Sequence, residues 1–160
     1  MRRHMFLKNT KFKFTLNILM FITFLFFMDE WSFLGITFHE IGGLIICLFY
    51  ILHKALNWQF IKETTTRLFG RVSGRSRFNY IIDVLLLVGF TLIIVSGMGI
   101  AKTMDFSWLG FTKENFIIWR FMHTSISMIV LILVGVHVGM HWNWIKARFK
   151  RSDQVQEEGS

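Results

Sequence analysis

The chain has 160 residues, a net charge of +8, no proline and a 53% share of hydrophobic residues. Its mean hydropathy is +0.48 despite 18 Lys and Arg residues, which is typical of membrane proteins and argues against an ordinary soluble domain. The single cysteine, Cys47, excludes a disulfide framework.

Four apolar stretches predict four transmembrane helices and an all-α fold. They cover residues 14–28, 35–56, 80–101 and 116–140, and most are close to the ~20 residues that a bilayer-spanning helix needs. No small-residue cleavage site follows the first stretch, so we expect it to stay as the first helix and not to be removed as a signal peptide. We predict one four-helix domain over residues 1–150 and a polar, disordered tail over residues 151–160.

The distribution of charge predicts the orientation in the membrane. Basic residues are concentrated in residues 1–13, 58–79 and 146–151, whereas the connections at residues 29–34 and 102–115 are acidic or balanced. Positively charged flanks stay on the cytoplasmic side, so both termini should be cytoplasmic. All six tryptophans fall at predicted helix ends, where indole rings favour the headgroup boundary. Nucleic-acid binding is not expected, because the charges flank apolar spans and form no patch on a soluble fold.

The two halves of the chain repeat each other on either side of a long linker at residues 67–79. An offset of 84 residues, 123 minus 39, places His39 on His123 and His53 on His137. We predict a duplicated two-helix unit over residues 12–62 and 78–146. The second and fourth helices would cross the membrane in the same direction, so the repeated histidines should lie at matching depths.

Each helix that carries two histidines should present both on one face. Fourteen residues rise about 21 Å and come within roughly 40° of four whole turns, so His39 shares a face with His53, and His123 with His137. Two such faces opposite each other make two stacked sites with an imidazole on either side. The pair His39/His123 would lie near the outer face, and the pair His53/His137 near the cytoplasm.

Such a site suits a planar macrocycle whose iron takes two axial ligands, and imidazole is a common axial ligand of haem iron. No CxxCH sequence is present for covalent attachment. The spacing therefore predicts two non-covalent b-type haems, and filled axial positions favour electron transfer over oxygen chemistry. Small residues near the outer histidines would let a porphyrin approach the helix backbone: Gly42, Gly43, Ser125 and Ser127.

The repeated H-x13-H pattern in a four-helix membrane bundle resembles the di-haem cytochromes b. The segments HKALNWQFIK and HVGMHWNWIK are similar to those of the small flavinylation-associated cytochrome family, and the resemblance covers the second to fourth helices. It implies haem ligation by His39, His53, His123 and His137. It also implies electron transfer from a membrane quinol pool toward an extracytoplasmic, flavin-carrying redox partner, in a prokaryotic cytoplasmic membrane.

Two further residues are candidates for contacts at these sites. Arg120 precedes His123 by one turn and could pair with a haem propionate, or simply anchor the helix at the interface. His141 follows His137 by one turn and could contact a propionate or a quinone. It is also the alternative ligand for the inner iron, but the repeat favours His137 because His141 corresponds to Asn57, whose side chain is a poor iron ligand.

Glu40 and Asp83 are the only acids within the four apolar stretches. Either could relay a proton at a quinol site, although an acid that is hydrogen-bonded near the interface is the simpler interpretation. Two other functions stay open: the same haems in the anchor subunit of a larger dehydrogenase or hydrogenase, and a haem-free scaffold or metal-handling protein. No hydrolase or transferase chemistry is expected, because HVGMH and HEIGG each lack part of the zinc-hydrolase motif.

Overall fold

The computed structural model describes residues 2–28, 35–67 and 73–157, and these residues contain helices and no strand. The residues outside this description include Asp29, Glu30 and Trp31, residues 68–72 of the linker, and residues 158–160. Two short 3₁₀ turns, Ser107–Leu109 and Lys113–Asn115, precede the fifth of the six described helices. These helices are α1 (Arg2–Phe26), α2 (Gly35–Leu56), α3 (Trp58–Arg67), α4 (Gly74–Ile100), α5 (Phe116–Met140) and α6 (Trp142–Glu157).

Three of the helices, α2, α4 and α5, are long and apolar enough to cross a membrane. Many of their outward-facing side chains are large and apolar; Ile117, Phe121 and Ile132 of α5 are 81%, 72% and 67% exposed. Apolar exposure on this scale in helices of this length indicates lipid contact. The chain is therefore an all-helical integral membrane protein, as the composition predicts.

The first predicted span has a shorter apolar part than the other three. The apolar portion of α1, Phe12–Phe26, falls in the range of 10–17 residues, and at about 1.5 Å per residue it is shorter than the ~30 Å hydrocarbon core. Even so, α1 packs beside α2 as an antiparallel neighbour. Its Asn17 contacts His53, and Phe27, just after its end, contacts His39.

Two helices, α4 and α6, extend into segments that the sequence predicts as a connection and a tail. The predicted linker from residue 67 to residue 79 is too long, because α4 begins at Gly74, before the predicted residue 80. Ser73 caps this helix by accepting the Ser76 N–H at 3.4 Å, which satisfies one of the unpaired donors of a helix start. At the other end, α6 continues past residue 150 to Glu157, into the tail that we predict to be disordered.

The same one-residue interruption between two helices occurs in both halves of the chain. Only Asn57 separates α2 from α3, and only His141 separates α5 from α6. The Asn57 N–H donates to the His53 carbonyl at 3.2 Å, and the His141 N–H donates to the His137 carbonyl at 3.3 Å. These two positions are related by the 84-residue offset, so each interruption follows a repeated histidine by one turn.

The described core lies at mid-bundle, where α1 packs on α2, α4 packs on α5, and α2 meets α4. Gly89 of α4 allows α5 to approach closely, because a Cβ there would clash with Val130, which is fully buried. Val130 lies midway between His123 and His137 along α5, so the core separates the levels of the two histidine pairs. Its buried members are Phe24, Ile46, Tyr50, Ile82, Leu86, Phe90 and Val130.

Candidate functional site

His39 of α2 and His123 of α5 face each other across the bundle. Their ring centroids are 6.3 Å apart and their planes are inclined by 75°. A metal–imidazole bond is about 2 Å long and the ring centre lies about 1 Å beyond the nitrogen, so two imidazoles on opposite sides of one metal ion have centres about 6 Å apart. The structure thus places this pair, which we call the first pair, at a separation that suits two axial ligands.

A cavity of about 210 Å³ adjoins the first pair. Gly43 and Ser127, two of the small residues predicted to let a porphyrin approach, line this cavity. Gly42 is instead buried against the Phe27 ring, and a Cβ at Gly42 would clash with that ring. Gly97 of α4 also lines the cavity, and a Cβ at this position would lie 3.3 Å from Cε1 of His123. Ligand pockets usually measure about 300–1,000 Å³, so the cavity can enclose only part of a macrocycle.

The ring of His123 is held by α4. Its Nδ1 lies 3.0 Å from the Ile93 carbonyl oxygen and 3.3 Å from the Ser96 hydroxyl. Because a carbonyl oxygen only accepts, the Nδ1–H of His123 donates to it, which fixes the tautomer and the orientation of the ring. In contrast, Nδ1 of His39 is buried without a hydrogen-bond partner among the described residues. A buried, unpaired ring nitrogen is uncommon, and it fits a residue whose partner is a bound group.

The second pair, His53 and His137, is held by residues of other helices. His53 Nδ1 lies 2.7 Å from the Asn17 side-chain carbonyl oxygen in α1. His137 Nδ1 lies 3.1 Å from Asp83 Oδ1 in α4, although the angles are not those of a hydrogen bond. No ring contact joins His53 to His137 in the part of the chain that the structure describes. The structure therefore brings the first pair together and holds the rings of the second pair separately.

His141 lies just beyond the end of α5, and its ring centroid is 4.8 Å from that of His137. Burial, followed by the neighbouring His137, lowers the pKa of His141 below its usual value. Its neutral imidazole can therefore either donate or accept one hydrogen bond at neutral pH. His141 thus lies beside His137, and its predicted contact with a propionate or a quinone stays a prediction.

The two other polar residues near the first pair have different surroundings. Arg120 lines the cavity, where a propionate partner is expected. The carboxylate of Glu40 accepts the backbone N–H of Lys102 at 2.7 Å, the backbone N–H of Thr103 at 3.0 Å, and the Thr103 hydroxyl. Glu40 thus ties α2 to the segment after α4, which favours the structural interpretation of this acid over proton relay.

Sequence analysis misses three residues that shape these sites: Asn17, Ile93 and Gly97. Asn17 carries a signal that could have found it, because a polar side chain within an apolar helix usually has a specific partner. Ile93 acts through its backbone carbonyl and Gly97 through its missing side chain, so neither residue type identifies its role. Tyr50 belongs to the core, where its ring stacks on Phe90 and its hydroxyl donates to the Leu87 carbonyl at 3.0 Å.

The donor set fits a bis-histidine haem site at the first pair, whereas the rings of the second pair are held separately. Within the described ranges, no three His, Cys, Asp or Glu side chains cluster in a way that could hold a metal ion, but a haem iron needs only two protein ligands. Comparison with known proteins finds no matching family model, no similar curated protein and no similar solved structure.

Proposed function

We propose that this chain binds two non-covalent b-type haems and carries electrons across the membrane. The observation that carries the proposal is the first pair, His39 and His123, with ring centroids 6.3 Å apart beside a cavity. When bound, each haem would supply one-electron redox chemistry at an iron whose two axial positions are both filled by imidazole. The histidine faces of α2 and α5 would hold the two haems about 21 Å apart along the bundle.

The protein's own contribution is to fix the ligand rings before the cofactor arrives. Backbone and side-chain acceptors on α1 and α4 hold the Nδ1 atoms of His53 and His123, which fixes the tautomer and the orientation of both rings. The core around Val130 fills the space between the two levels with apolar side chains. A dry interior of this kind excludes water from the space between the two haem levels.

The proposed topology has four spans with both termini in the cytoplasm. Contacts of α1 support its role as a span in addition to α2, α4 and α5, because Asn17 lies at the level of His53 and Phe27 at the level of His39. The apolar part of α1 thus covers the same depth as the two histidine levels. Basic flanks would keep the termini inside, which places the first pair near the outer face and the second pair near the cytoplasm.

The proposed electron donor is a membrane quinol, and the proposed acceptor is an extracytoplasmic, flavin-carrying protein. Oxidation of one quinol to quinone releases two electrons and two protons. The electrons pass singly to the acceptor, which is reduced by one electron each time, and the protons leave to water beside the quinol. His141, whose ring lies beside that of His137, would contact the quinol.

The test is a haem assay on the purified chain. We expect a b-type spectrum when the oxidised absorbance is subtracted from the reduced absorbance, and two haems per chain. His39→Ala and His123→Ala should each remove one haem, and the matched control His4→Ala, at a histidine outside both pairs, should retain two. A purified chain that takes up no haem, even when haem is added during refolding or expression, would refute the proposal.

A further inference from the structure

The segment that follows α4 covers one end of the cavity beside the first pair. We call residues 101–106 the cap segment; all six are described, and none of them lies in a helix. The cap segment lies at the end of the bundle where α4 ends and α5 begins. Its residues that line the cavity are Ala101, Lys102, Met104 and Phe106.

Glu40 of α2 fastens the cap segment. Its carboxylate accepts the Lys102 N–H at 2.7 Å, the Thr103 N–H at 3.0 Å and the Thr103 hydroxyl. These partners are 62 and 63 positions away along the chain. Hydrogen bonds to a carboxylate are stronger than those between neutral groups. One side chain therefore holds the cap segment against the helix that carries His39.

The cavity extends from the cap segment toward the core. Cys47 lines it as well, and seven residues of α2 separate Cys47 from Glu40, or about 10 Å along the helix. Ile46 and Phe90, two members of the buried core, also line the cavity. Because the core closes this inner end, a molecule reaches the cavity either past the cap segment or sideways between the helices.

We propose that the cap segment is a lid over the cavity, that Glu40 is its latch, and that the ligand of the cavity enters and leaves past this lid. The hydrogen bonds of the latch are exposed, so water competes for the same donors and the lid opens at a small cost in free energy. The core beneath it, including the fully buried Val130, stays packed when the lid opens. The route serves any ligand of the cavity, so this inference does not depend on haem.

The test uses the single cysteine of the chain as a reporter inside the cavity. A small methanethiosulfonate with a sulfonate group is too polar to cross apolar surroundings. When it reaches Cys47, the sulfur of Cys47 forms a disulfide with it and methanesulfinate leaves. In the purified full chain, Glu40→Ala should speed this labelling by about 3- to 10-fold, because all three bonds of the latch are lost. The rate is read by mass spectrometry, and Cys47→Ala gives the background.

Three further variants grade the effect. Glu40→Gln keeps one neutral acceptor, so its labelling rate should lie between those of the unmutated chain and Glu40→Ala. Thr103→Val removes the hydroxyl and keeps the backbone N–H bonds, so it should also give an intermediate rate. Glu114→Gln is the matched control, because Glu114 lies in the same connection between α4 and α5 but not among the described residues that line the cavity. Its rate should equal that of the unmutated chain.

The unfolding temperature of each variant separates lid opening from general unfolding. The inference is overturned if Glu40→Ala is labelled no faster than the unmutated chain, whether the two rates are equal or neither chain reacts. It is also overturned if Glu114→Gln is labelled as fast as Glu40→Ala, or if labelling rises only in step with a lower unfolding temperature. A chain that binds no haem refutes the proposed function and leaves this test unaffected.

Discussion

Single residues of α1 and α4 orient the histidines that α2 and α5 provide. Asn17 holds His53, the Ile93 carbonyl holds His123, and Asp83 lies against His137. In metal sites, such contacts fix the tautomer and the direction of the ligand ring, and their loss typically weakens metal binding by about 10–100-fold. The two helices without predicted ligands thus have a definite role in both candidate sites.

The first prediction at this scale concerns Asn17. Asn17→Leu removes the acceptor of His53 Nδ1 and keeps a side chain of similar length in α1, so the ring of His53 loses its fixed orientation. We expect haem binding at the second pair to weaken by roughly 10–100-fold, while haem at the first pair is retained. The measurement is a titration of haem into the haem-depleted protein.

Thr23→Ala is the matched control for Asn17→Leu, because Thr23 lies on the same helix but donates only to its own Leu19 carbonyl at 2.7 Å. Its haem affinity should equal that of the unmutated chain. An Asn17→Leu protein with two haems of normal affinity would show that the contact does not orient a ligand.

A second prediction distinguishes His137 from His141. His137→Ala should remove the haem of the second pair, because His137 is the histidine that repeats His53 in depth and that Asp83 contacts. His141→Ala should retain both haems, since His141 lies beyond the end of α5, one turn past the repeated position, where its ring contacts that of His137 at 4.8 Å. Haem per protein in the two variants is the measurement, and loss of a haem in the His141 variant alone would reverse the assignment.

At the scale of elements, close packing of α4 against α5 fixes the position of His123. Gly89 of α4 lies against Val130 of α5, whose side chain is fully buried. Gly97, also in α4, lies against the His123 ring of α5. Small residues of this kind allow membrane helices to approach closely, which is the main source of their association. The distance between α4 and α5 therefore also sets the distance from His123 to its acceptor on Ile93.

The third prediction tests this contact. Gly89→Ala places a methyl group against Val130, and overpacking of a filled core typically costs about 1–3 kcal/mol. We expect a lower unfolding temperature in detergent and easier loss of haem from the first pair. A Val130→Ala change in the same chain should recover part of the stability, because it removes the Cγ2 methyl group that the new side chain meets.

Gly135→Ala is the control for Gly89→Ala, since the Gly135 position on α5 has open space around it. Its unfolding temperature should stay the same or rise slightly, because alanine favours the helix over glycine. Equal destabilisation by the two glycine changes would mean that helix flexibility, and not the contact with Val130, is what matters at Gly89.

The helix that follows α5 also has a packing partner. In α6, the rings of Trp144 and Phe149 lie 5.8 Å and 5.4 Å from the Phe14 ring of α1, and the guanidinium of Arg148 lies over the Trp144 ring at 5.4 Å. Aromatic and basic side chains together favour the headgroup boundary of a membrane. This contact joins the first and last described helices, so α1 is held by α2 and, near its middle, by α6.

At the scale of the whole molecule, the remaining prediction is the topology. If α1 spans the membrane in addition to α2, α4 and α5, reporters fused at the N-terminus, in residues 68–72 and at the C-terminus should all respond as cytoplasmic. A reporter within residues 102–115 should respond as external. The physical reason is the excess of Lys and Arg in the three segments expected to be cytoplasmic, residues 1–13, 58–79 and 146–151. An external N-terminus combined with a cytoplasmic 68–72 reporter would leave three spans and contradict the proposed role of α1.

The sequence by itself determined the helices that carry the histidines. The predicted bounds of the second and fourth spans coincide with α2 and α5, because helix formation depends on local hydrogen bonds and apolar length, both of which can be read along the chain. The 84-residue repeat also selected His39 and His123 as partners. The start of α4, and the helices α3 and α6, were missed because amphipathic and polar segments give a weaker signal than apolar spans.

Only the tertiary structure decided what surrounds each histidine. Asn17 and His53 are 36 positions apart, and Ile93 and His123 are 30 positions apart, on different helices. Which residues meet across two packed helices depends on the rotation of each helix about its axis and on small contact residues such as Gly89. A single sequence does not encode that rotation in any local pattern, so the acceptors of the histidines appear only once the helices are packed.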